Sequence, residues 1–313
     1  MPAPSMLQFS SSKRWQARQT KDVYRREAAV RGLKSRAAFK LLQINERHHI
    51  FKPGQTVVDL GYAPGSWSQV AVDLTKPNGR VVGVDIIPAQ PPKGVSTIQG
   101  NFLSPRIQAY VQEFLRNPER GKARTQPTMS KNPGDPSSAA EDCLRNETTP
   151  SEDRSYIDRE RETTVRVDDM GEDRDAADDA SSETPGDRTA NVVLSDMSDP
   201  WQQTTGYWKR SLNDPYHRMM NTSGLSFRDH AGSMDLCNAA LEFSFNVLAA
   251  GGHFVCKFYQ GPEEKKFETQ LKALFHKVHR EKPDSSRSES KEAYFIGLRR
   301  KHNASRSEVL PDS

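Results

Sequence analysis

The sequence predicts a doubly wound α/β domain on a mostly parallel, seven-stranded sheet, interrupted by a long disordered insertion. Three observations carry this. Short apolar runs alternate with segments of helical period, a glycine-containing turn follows the first run, and residues 117–190 almost lack large apolar side chains.

Taken in order, Thr56-Val-Val-Asp-Leu60 is a short apolar run closed by Gly61, as a strand buried on both faces would be. Residues 65–74 then have helical period. Arg80-Val-Val-Gly-Val-Asp85 is a second strand, entered by the turn Pro77-Asn-Gly79, and Val95-Ser-Thr-Ile98 is a short third. Residues 106–116 place Ile107, Val111, Phe114 and Leu115 on one helical face. After the insertion, Asn191-Val-Val-Leu-Ser-Asp196 is a fourth strand. Met234, Cys237, Leu241, Phe245 and Leu248 then share a helical face that Gly251-Gly252 should terminate. His253-Phe-Val-Cys-Lys-Phe258 is a fifth strand. A helix with Phe267, Leu271, Leu274, Phe275 and Val278 in register leads to two last strands, near residues 276–282 and 293–298.

Residues 117–190 hold 19 acidic and 11 basic residues, with only seven of Val, Ile, Leu, Met, Phe, Trp or Tyr. Such a stretch cannot bury enough apolar surface to offset its ordering entropy, so a disordered acidic loop within one domain is expected. The organisation is then a basic segment at 1–20, domain halves at 21–116 and 191–300 around the insertion 117–190, and a polar tail at 301–313. The net charge of +4 divides into −8 for the insertion and +12 for the remainder, a balance that favours a polyanionic partner for the folded part. Cys143, Cys237 and Cys256 form neither a disulfide framework nor a zinc spacing. No run approaches the ~18 apolar residues of a membrane-spanning helix.

Ligands of doubly wound sheets bind beyond the carboxyl ends of the strands, where a glycine turn lets the backbone approach closely. Here Asp59 ends the first strand and Gly61 and Gly65 permit the turn. Asp85 ends the second strand, 20 residues beyond Gly65, where a carboxylate can accept from ribose hydroxyls. The G-x-G-x-x-G spacing of dinucleotide folds is absent, and Pro64 stiffens the loop. S-adenosylmethionine, a nucleoside with a small charged tail, suits it better than NAD, which stays the alternative.

The loop Asp59-Leu-Gly-Tyr-Ala-Pro-Gly-Ser-Trp67 does not stand alone. With Gly32-Leu-Lys-Ser-Arg-Ala-Ala-Phe-Lys-Leu41, Leu194-Ser-Asp-Met197, Gly251-Gly-His-Phe-Val-Cys-Lys257 and Lys282-Pro-Asp-Ser-Ser-Arg-Ser-Glu-Ser-Lys-Glu-Ala-Tyr294 it makes five blocks in order. Together they resemble the FtsJ/RrmJ family of RNA 2′-O-ribose methyltransferases, over roughly residues 11–115 and 191–300. The resemblance implies the Rossmann-like sheet of S-adenosylmethionine-dependent methyltransferases. It also implies a catalytic tetrad of Lys40, Asp196, Lys257 and Glu292, with Lys257 as general base. For the cofactor it implies Gly61, Ala63, Pro64, Gly65, Ser66 and Trp67 in the loop, Asp85 at the ribose, Asn101 near the adenine, and Asp196. Asn101 stands where the family usually has Asp, and Tyr62 replaces a small loop residue.

A ribose 2′-hydroxyl is a poor nucleophile, so a base must take its proton as the oxygen attacks the sulfonium methyl. A lysine does this only with a depressed pKa. Lys40 is expected to supply the depressing like charge, while Asp196 and Glu292 orient the ammonium groups. Lys13, Arg14, Arg18, Lys34 and Arg36, interleaved with Trp15 and Tyr24, read as an RNA-facing patch. Residues 201–229 read as a substrate-facing loop. The last block resembles the large-subunit rRNA enzymes. The insertion and Asp196-Met-Ser-Asp-Pro-Trp201 resemble the fungal mitochondrial uridine 2′-O-methyltransferases. Residues 1–21 contain four basic residues and no acid, as a matrix presequence would. The expectation is therefore a monomeric mitochondrial matrix enzyme, not membrane-bound, acting on large-subunit rRNA or a pre-ribosomal particle. The alternatives are a nuclear or cytoplasmic site, a tRNA substrate, a non-catalytic ribosome-assembly factor on the same fold, or a nicotinamide-dependent oxidoreductase.

Overall fold

A computed structural model of the chain describes residues 22–122, 188–199, 201–202, 219–220 and 222–311. The elements are α1 (Val23–Val30), α2 (Ala37–His48), β1 (Thr56–Leu60), α3 (Ser66–Thr75), β2 (Arg80–Asp85), β3 (Val95–Gln99), α4 (Pro105–Arg116) and β4 (Ala190–Ser195). The short strands β5 (Trp201–Gln202) and β6 (Met219–Met220) pair antiparallel with each other. After them come α5 (Ser226–Val247), β7 (Leu248–Tyr259), α6 (Glu264–Leu274), β8 (Phe275–Glu281), β9 (Glu292–Arg300) and α7 (Arg306–Val309).

Seven of these strands form one sheet in the order β3-β2-β1-β4-β7-β9-β8, parallel throughout except for β9, which opposes both neighbours. The valine-rich centre follows from burial on both faces, which removes any need for polar alternation. Val57, Val255, Tyr294 and Ile296 look toward α2 and α3, packing with Ala38, Leu41, Ile44 and Val70. Val58, Val193, Phe254, Cys256 and Phe295 look the other way, toward Val111, Leu115, Cys237, Leu241 and Phe267. Helices therefore cover both faces, as the periodicity required. Strand order reverses between β1 and β4. The register Leu60↔Val84 and Leu60↔Ser195 brings the ends of β1, β2 and β4 to one edge at that reversal. Cys237 and Cys256 are free thiols, and Cys143 lies outside the described residues. No helix among the described residues is long and apolar enough to cross a membrane.

Four expectations need correction. Gly251-Gly252 does not end α5, which stops at Val247, where the Leu248 N–H bonds the Ser244 carbonyl. Pairing of β4 with β7 jumps from Ala190↔Leu248 to Val192↔His253, so the glycines lie in a bulge. A Cβ on Gly252 would sit 2.8 Å from the Asn191 carbonyl oxygen. Phe275 and Val278 leave the helix and belong to β8. The insertion cannot begin at 117, because Arg80 donates to the Asn117 and Arg120 carbonyls and Arg80 pairs with Lys122; residues 123–187 lie outside the described part. Nor are residues 301–311 merely a polar tail. Val309 and Leu310 are buried in the core formed with α5 and α6.

Ending the chain at Asn303 should therefore cost roughly 3 kcal/mol for two buried aliphatic side chains. The Tm should fall by roughly 6–12 °C in a thermal melt. An unchanged Tm would return this segment to the role of a passive tail.

Candidate active site

At the strand-order reversal the sheet edge opens into a cleft of about 490 Å³. Gly61, Ala63 and Pro64 form one wall, Asp85 to Ile87 and Asn101 to Leu103 a second, and Asp196 to Asp199 with Lys257 a third. Gly61 has φ +75, and a Cβ there would lie 2.8 Å from the Met197 Cα. Only glycine lets the β1 and β4 loops come this close. Asp85 binds two walls together: one carboxylate oxygen accepts from the Ala63 N–H and the other from the Ile87 N–H, each at 2.8 Å. Burial pushes its pKa up, and those backbone donors oppose the rise. Asn101 accepts from the Leu103 N–H at 3.0 Å, which leaves its amide N–H₂ and one oxygen lone pair for a ligand. Ile86, Phe102 and Leu103 supply apolar walls. The set fits a nucleoside whose polar edges and sugar need a few fixed partners.

Three loop residues expected at the cofactor make contacts within the protein. Gly65 (φ +102) precedes α3 and faces Pro92; a Cβ would lie 2.8 Å from that ring. The Ser66 hydroxyl bonds the Ser35 hydroxyl at 2.6 Å. Trp67 is buried, donates its indole N–H to the Ala37 carbonyl at 2.9 Å, and packs on Tyr294 at 5.6 Å between ring centroids. The Ser66 and Trp67 side chains thus brace the loop, while the backbone N–H groups of the helix start stay available to a ligand. Tyr62 points away from the cleft too. Its hydroxyl donates to the Ala89 carbonyl at 2.6 Å, and its ring fills the space over Gly83, where a Cβ would come within 2.7 Å.

The four expected catalytic side chains converge. Lys257 and Tyr294 are directly paired across β7 and β9, and Glu292 pairs with Tyr259. Alternation then puts Lys257, Tyr294 and Glu292 on the face covered by α2, which carries Lys40. Lys40 Nζ lies 2.5 Å from Glu292 Oε1, which also accepts from the Tyr294 hydroxyl at 2.9 Å and the Ser286 hydroxyl at 3.2 Å. Lys257 Nζ lies 3.1 Å from Asp196 Oδ1, 2.7 Å from the Asp196 carbonyl oxygen and 2.6 Å from Ser198 Oγ. The Tyr294 hydroxyl also lies 3.4 Å from Asp196 Oδ1, which joins the two ion pairs.

The electrostatics differ from expectation. Burial pulls the Lys257 pKa down, but Asp196, Tyr259 and Glu292 outweigh it and the net shift is upward. The like charge of Lys40 fails to depress it because Glu292 neutralises Lys40 directly. Burial likewise opposes ionisation of Glu292, yet Lys40 and Lys257 hold its pKa below the ordinary range. The resting network is therefore fully charged and paired. Two members were not singled out from the sequence, Tyr294 and Ser198. Tyr294 had only its place after Glu292 as a signal; Ser198 had none.

The described cations of the expected RNA patch, exposed Lys34 and half-buried Arg36, each make contacts within the protein. Lys34 donates to the Gln90 carbonyl, and Arg36 to Asp22 and the Ser285 carbonyl while lying over Tyr24. Lys13, Arg14, Trp15 and Arg18 lie outside the described residues, as does most of the stretch 201–229.

The FtsJ-like methyltransferase family model matches residues 33–300. The chain is 41% identical to rRNA methyltransferase 2, mitochondrial, of Saccharomyces cerevisiae, covering 97% of this chain and 92% of that one. It is 30% identical to the Schizosaccharomyces pombe protein of the same name, over 92% of this chain and 95% of the other. It is also 30% identical to ribosomal RNA large subunit methyltransferase E of Thiobacillus denitrificans, over 92% and 90% respectively.

Asp59 underlies the cleft and provides a test of its electrostatics. It is fully buried, accepts from the Ser68 hydroxyl at 2.6 Å through Oδ2, and its Oδ1 has no hydrogen-bond partner among the described residues. Burial, opposed by Ser68 and reinforced by Asp196 and Asp85, raises its pKa from 3.8 to about 7. The folded state then binds the proton more tightly than the unfolded state. Stability should fall as pH rises from about 4 to about 7 and level off above that. Asp59→Asn, which mimics the neutral carboxyl, should gain on wild type by an order of 4 kcal/mol across that window in chemical denaturation. Parallel pH curves for the two proteins would show Asp59 to be ionised throughout.

Proposed function

The chain belongs to the FtsJ-like methyltransferase family, and from that premise we propose that it methylates a ribose 2′-hydroxyl of large-subunit rRNA with S-adenosylmethionine. The observation that carries the reading is the continuous network Lys40–Glu292–Tyr294–Asp196–Lys257, whose Asp196–Lys257 end opens into the nucleoside-sized cleft.

The residues present fit the cofactor. Asp85 would hold the ribose, Asn101 and the apolar walls the adenine, and the β1–α3 loop with Asp196 the amino-acid tail. When bound, S-adenosylmethionine supplies an electrophilic methyl on a sulfonium whose charge also disfavours an ammonium at Lys257. Asp196 fixes Lys257 through both its carboxylate and its carbonyl, so the amine points along one line only. Lys257, once neutral, receives the 2′-hydroxyl proton as that oxygen forms its new bond to carbon. Lys40, Glu292 and Tyr294 hold the Asp196 carboxylate in place from the far side. Much of the remaining acceleration comes from alignment of the reacting atoms.

The names of the two yeast relatives support an rRNA of the mitochondrion as the substrate, and that of the bacterial relative supports the large subunit. A uridine of the peptidyl-transferase region is the target that the resemblance of residues 196–201 implies. The acid-free first 21 residues support a matrix location.

Lys257→Ala should lower methyl transfer from tritiated cofactor to unmodified rRNA by about 10²–10⁴-fold. Cofactor binding by calorimetry should persist, and the melting transition should stay cooperative but move to lower temperature, because Asp196 loses its partner. Because the Lys257 pKa is raised, the neutral base is scarce near neutral pH. The wild-type kcat/KM should therefore climb about tenfold per pH unit between roughly pH 6.5 and 8.5. A rate that survives in Lys257→Ala, or is flat with pH, removes Lys257 as the base.

A further inference from the structure

Lys257 Nζ has three acceptors at hydrogen-bond distance: Asp196 O at 2.7 Å, Asp196 Oδ1 at 3.1 Å and Ser198 Oγ at 2.6 Å. An ammonium has three N–H donors, so the resting site satisfies all of them in a residue that is only 5% exposed. A neutral amine has two N–H donors and one lone pair, and the lone pair needs a donor. A carbonyl and a carboxylate cannot provide one. Of the three partners only Ser198 carries an O–H, and it is an aliphatic alcohol on the wall of the cleft. A ribose 2′-hydroxyl is also an aliphatic alcohol, and to lose its proton to Lys257 it must point its O–H at that lone pair.

We propose that the Ser198 hydroxyl occupies the position on Lys257 that the substrate 2′-hydroxyl takes during transfer. It is a built-in surrogate that holds Lys257 in place and must rotate aside when RNA enters. This rests on the assignment of Lys257 as base. The other charged or titratable groups around Lys257 are Asp196 from the β4 loop, Glu292 and Tyr294 from β9, Tyr259 from β7, Lys40 from α2 and Cys237 from α5. Of these only the tyrosines carry a hydroxyl, and that of Tyr294 is placed on Glu292 and Asp196, whereas Ser198 Oγ lies at the amine itself. In the exchange the 2′-oxygen gains the methyl carbon, its proton passes to the amine, and the sulfonium leaves as a neutral thioether. Lys257 ends as an ammonium, and Ser198 can return to it.

Ser198 is a positioning residue, and its signature is a split between two kinetic parameters. kcat/KM reports ionisation in the free enzyme, where Ser198 occupies its place; kcat reports the RNA-bound complex, where it has been displaced. The experiment compares wild type, Ser198→Ala, Ser198→Thr and Lys257→Ala. It uses tritiated S-adenosylmethionine and an unmodified transcript of the peptidyl-transferase region of mitochondrial large-subunit rRNA, from pH 6.5 to 8.5. Ser198→Ala removes an acceptor from the resting ammonium and a competitor for the substrate position. Its kcat/KM should rise about three- to tenfold at each pH, mainly through KM, while Ser198→Thr keeps the hydroxyl and should track wild type. Equal changes in kcat and kcat/KM, a loss of activity in Ser198→Ala, or an unmoved kcat/KM each overturn the surrogate role. Undiminished transfer by Lys257→Ala instead overturns the base assignment beneath it, so the two failures are told apart.

Discussion

A charge taken out of water must be paired, and the carboxyl edge of this sheet holds four in one connected set, Lys257 buried and Lys40, Asp196 and Glu292 partly so. That requirement explains the geometry around it. Lys40 can reach Glu292 only because α2 packs on the face of β9 that carries Tyr294 and Ile296. Lys257 can reach Asp196 only because β7 lies directly beside β4, with Ser195 opposite Cys256. Tyr294 joins the pairs, and its own ionisation is suppressed, chiefly by burial and then by the two carboxylates it faces. Removing one member leaves its partner charged in a poor solvent. The network is therefore a single unit that no pairwise sum describes.

The loop that walls the cleft answers to the same edge. Asp85 is buried, yet each of its oxygens accepts a backbone N–H, so it orders the β1–α3 loop and the β2 loop together. A ribose would use what remains of its lone pairs. Asp59, one layer beneath, has the opposite fate: a single hydroxyl donor, a second oxygen without a described partner, and two carboxylates nearby. Two acids at one edge of the sheet, Asp85 and Asp59, thus differ in their surroundings by how many donors each has found. Chemical type alone would have treated them alike.

What the sequence made legible was periodic or local. Continuous valine runs marked β1, β2 and β4, because a strand buried on both faces has no polar alternation to disguise it. The glycine loop and the residue types of the tetrad were legible as a pattern in order along the chain. What escaped was decided by distant partners. Tyr62 stood out only as a large residue in place of a small one, and the room for its ring is made by Gly83 on the next strand. The sequence could not show that the Trp67 indole is held by the Ala37 carbonyl and the Tyr294 ring. Gly251-Gly252 satisfied the rule for a helix stop, but the space they vacate belongs to Asn191 of β4. The direction of the Lys257 shift escaped for the same reason. A nearby lysine suggested repulsion, and only the 2.5 Å contact with Glu292 shows that charge already cancelled.

That direction bears on how such a site stays usable. A lysine with a free lone pair beside a sulfonium methyl is itself a nucleophile, and amines are better ones than alcohols. A base held neutral in advance would be exposed to methylation by its own cofactor. An ammonium with three satisfied N–H donors has no lone pair to offer and is inert. Asp196 and Ser198 hold Lys257 in that inert form, at the cost of basicity that a depressed pKa would have provided. The lone pair is then needed only in the company of an alcohol able to donate to it. In the reaction proposed above, coupling deprotonation to arrival of the hydroxyl leaves the alcohol oxygen, rather than the amine nitrogen, as the nucleophile. A raised pKa, which looks wrong for a general base considered alone, suits one that must work next to an alkylating agent.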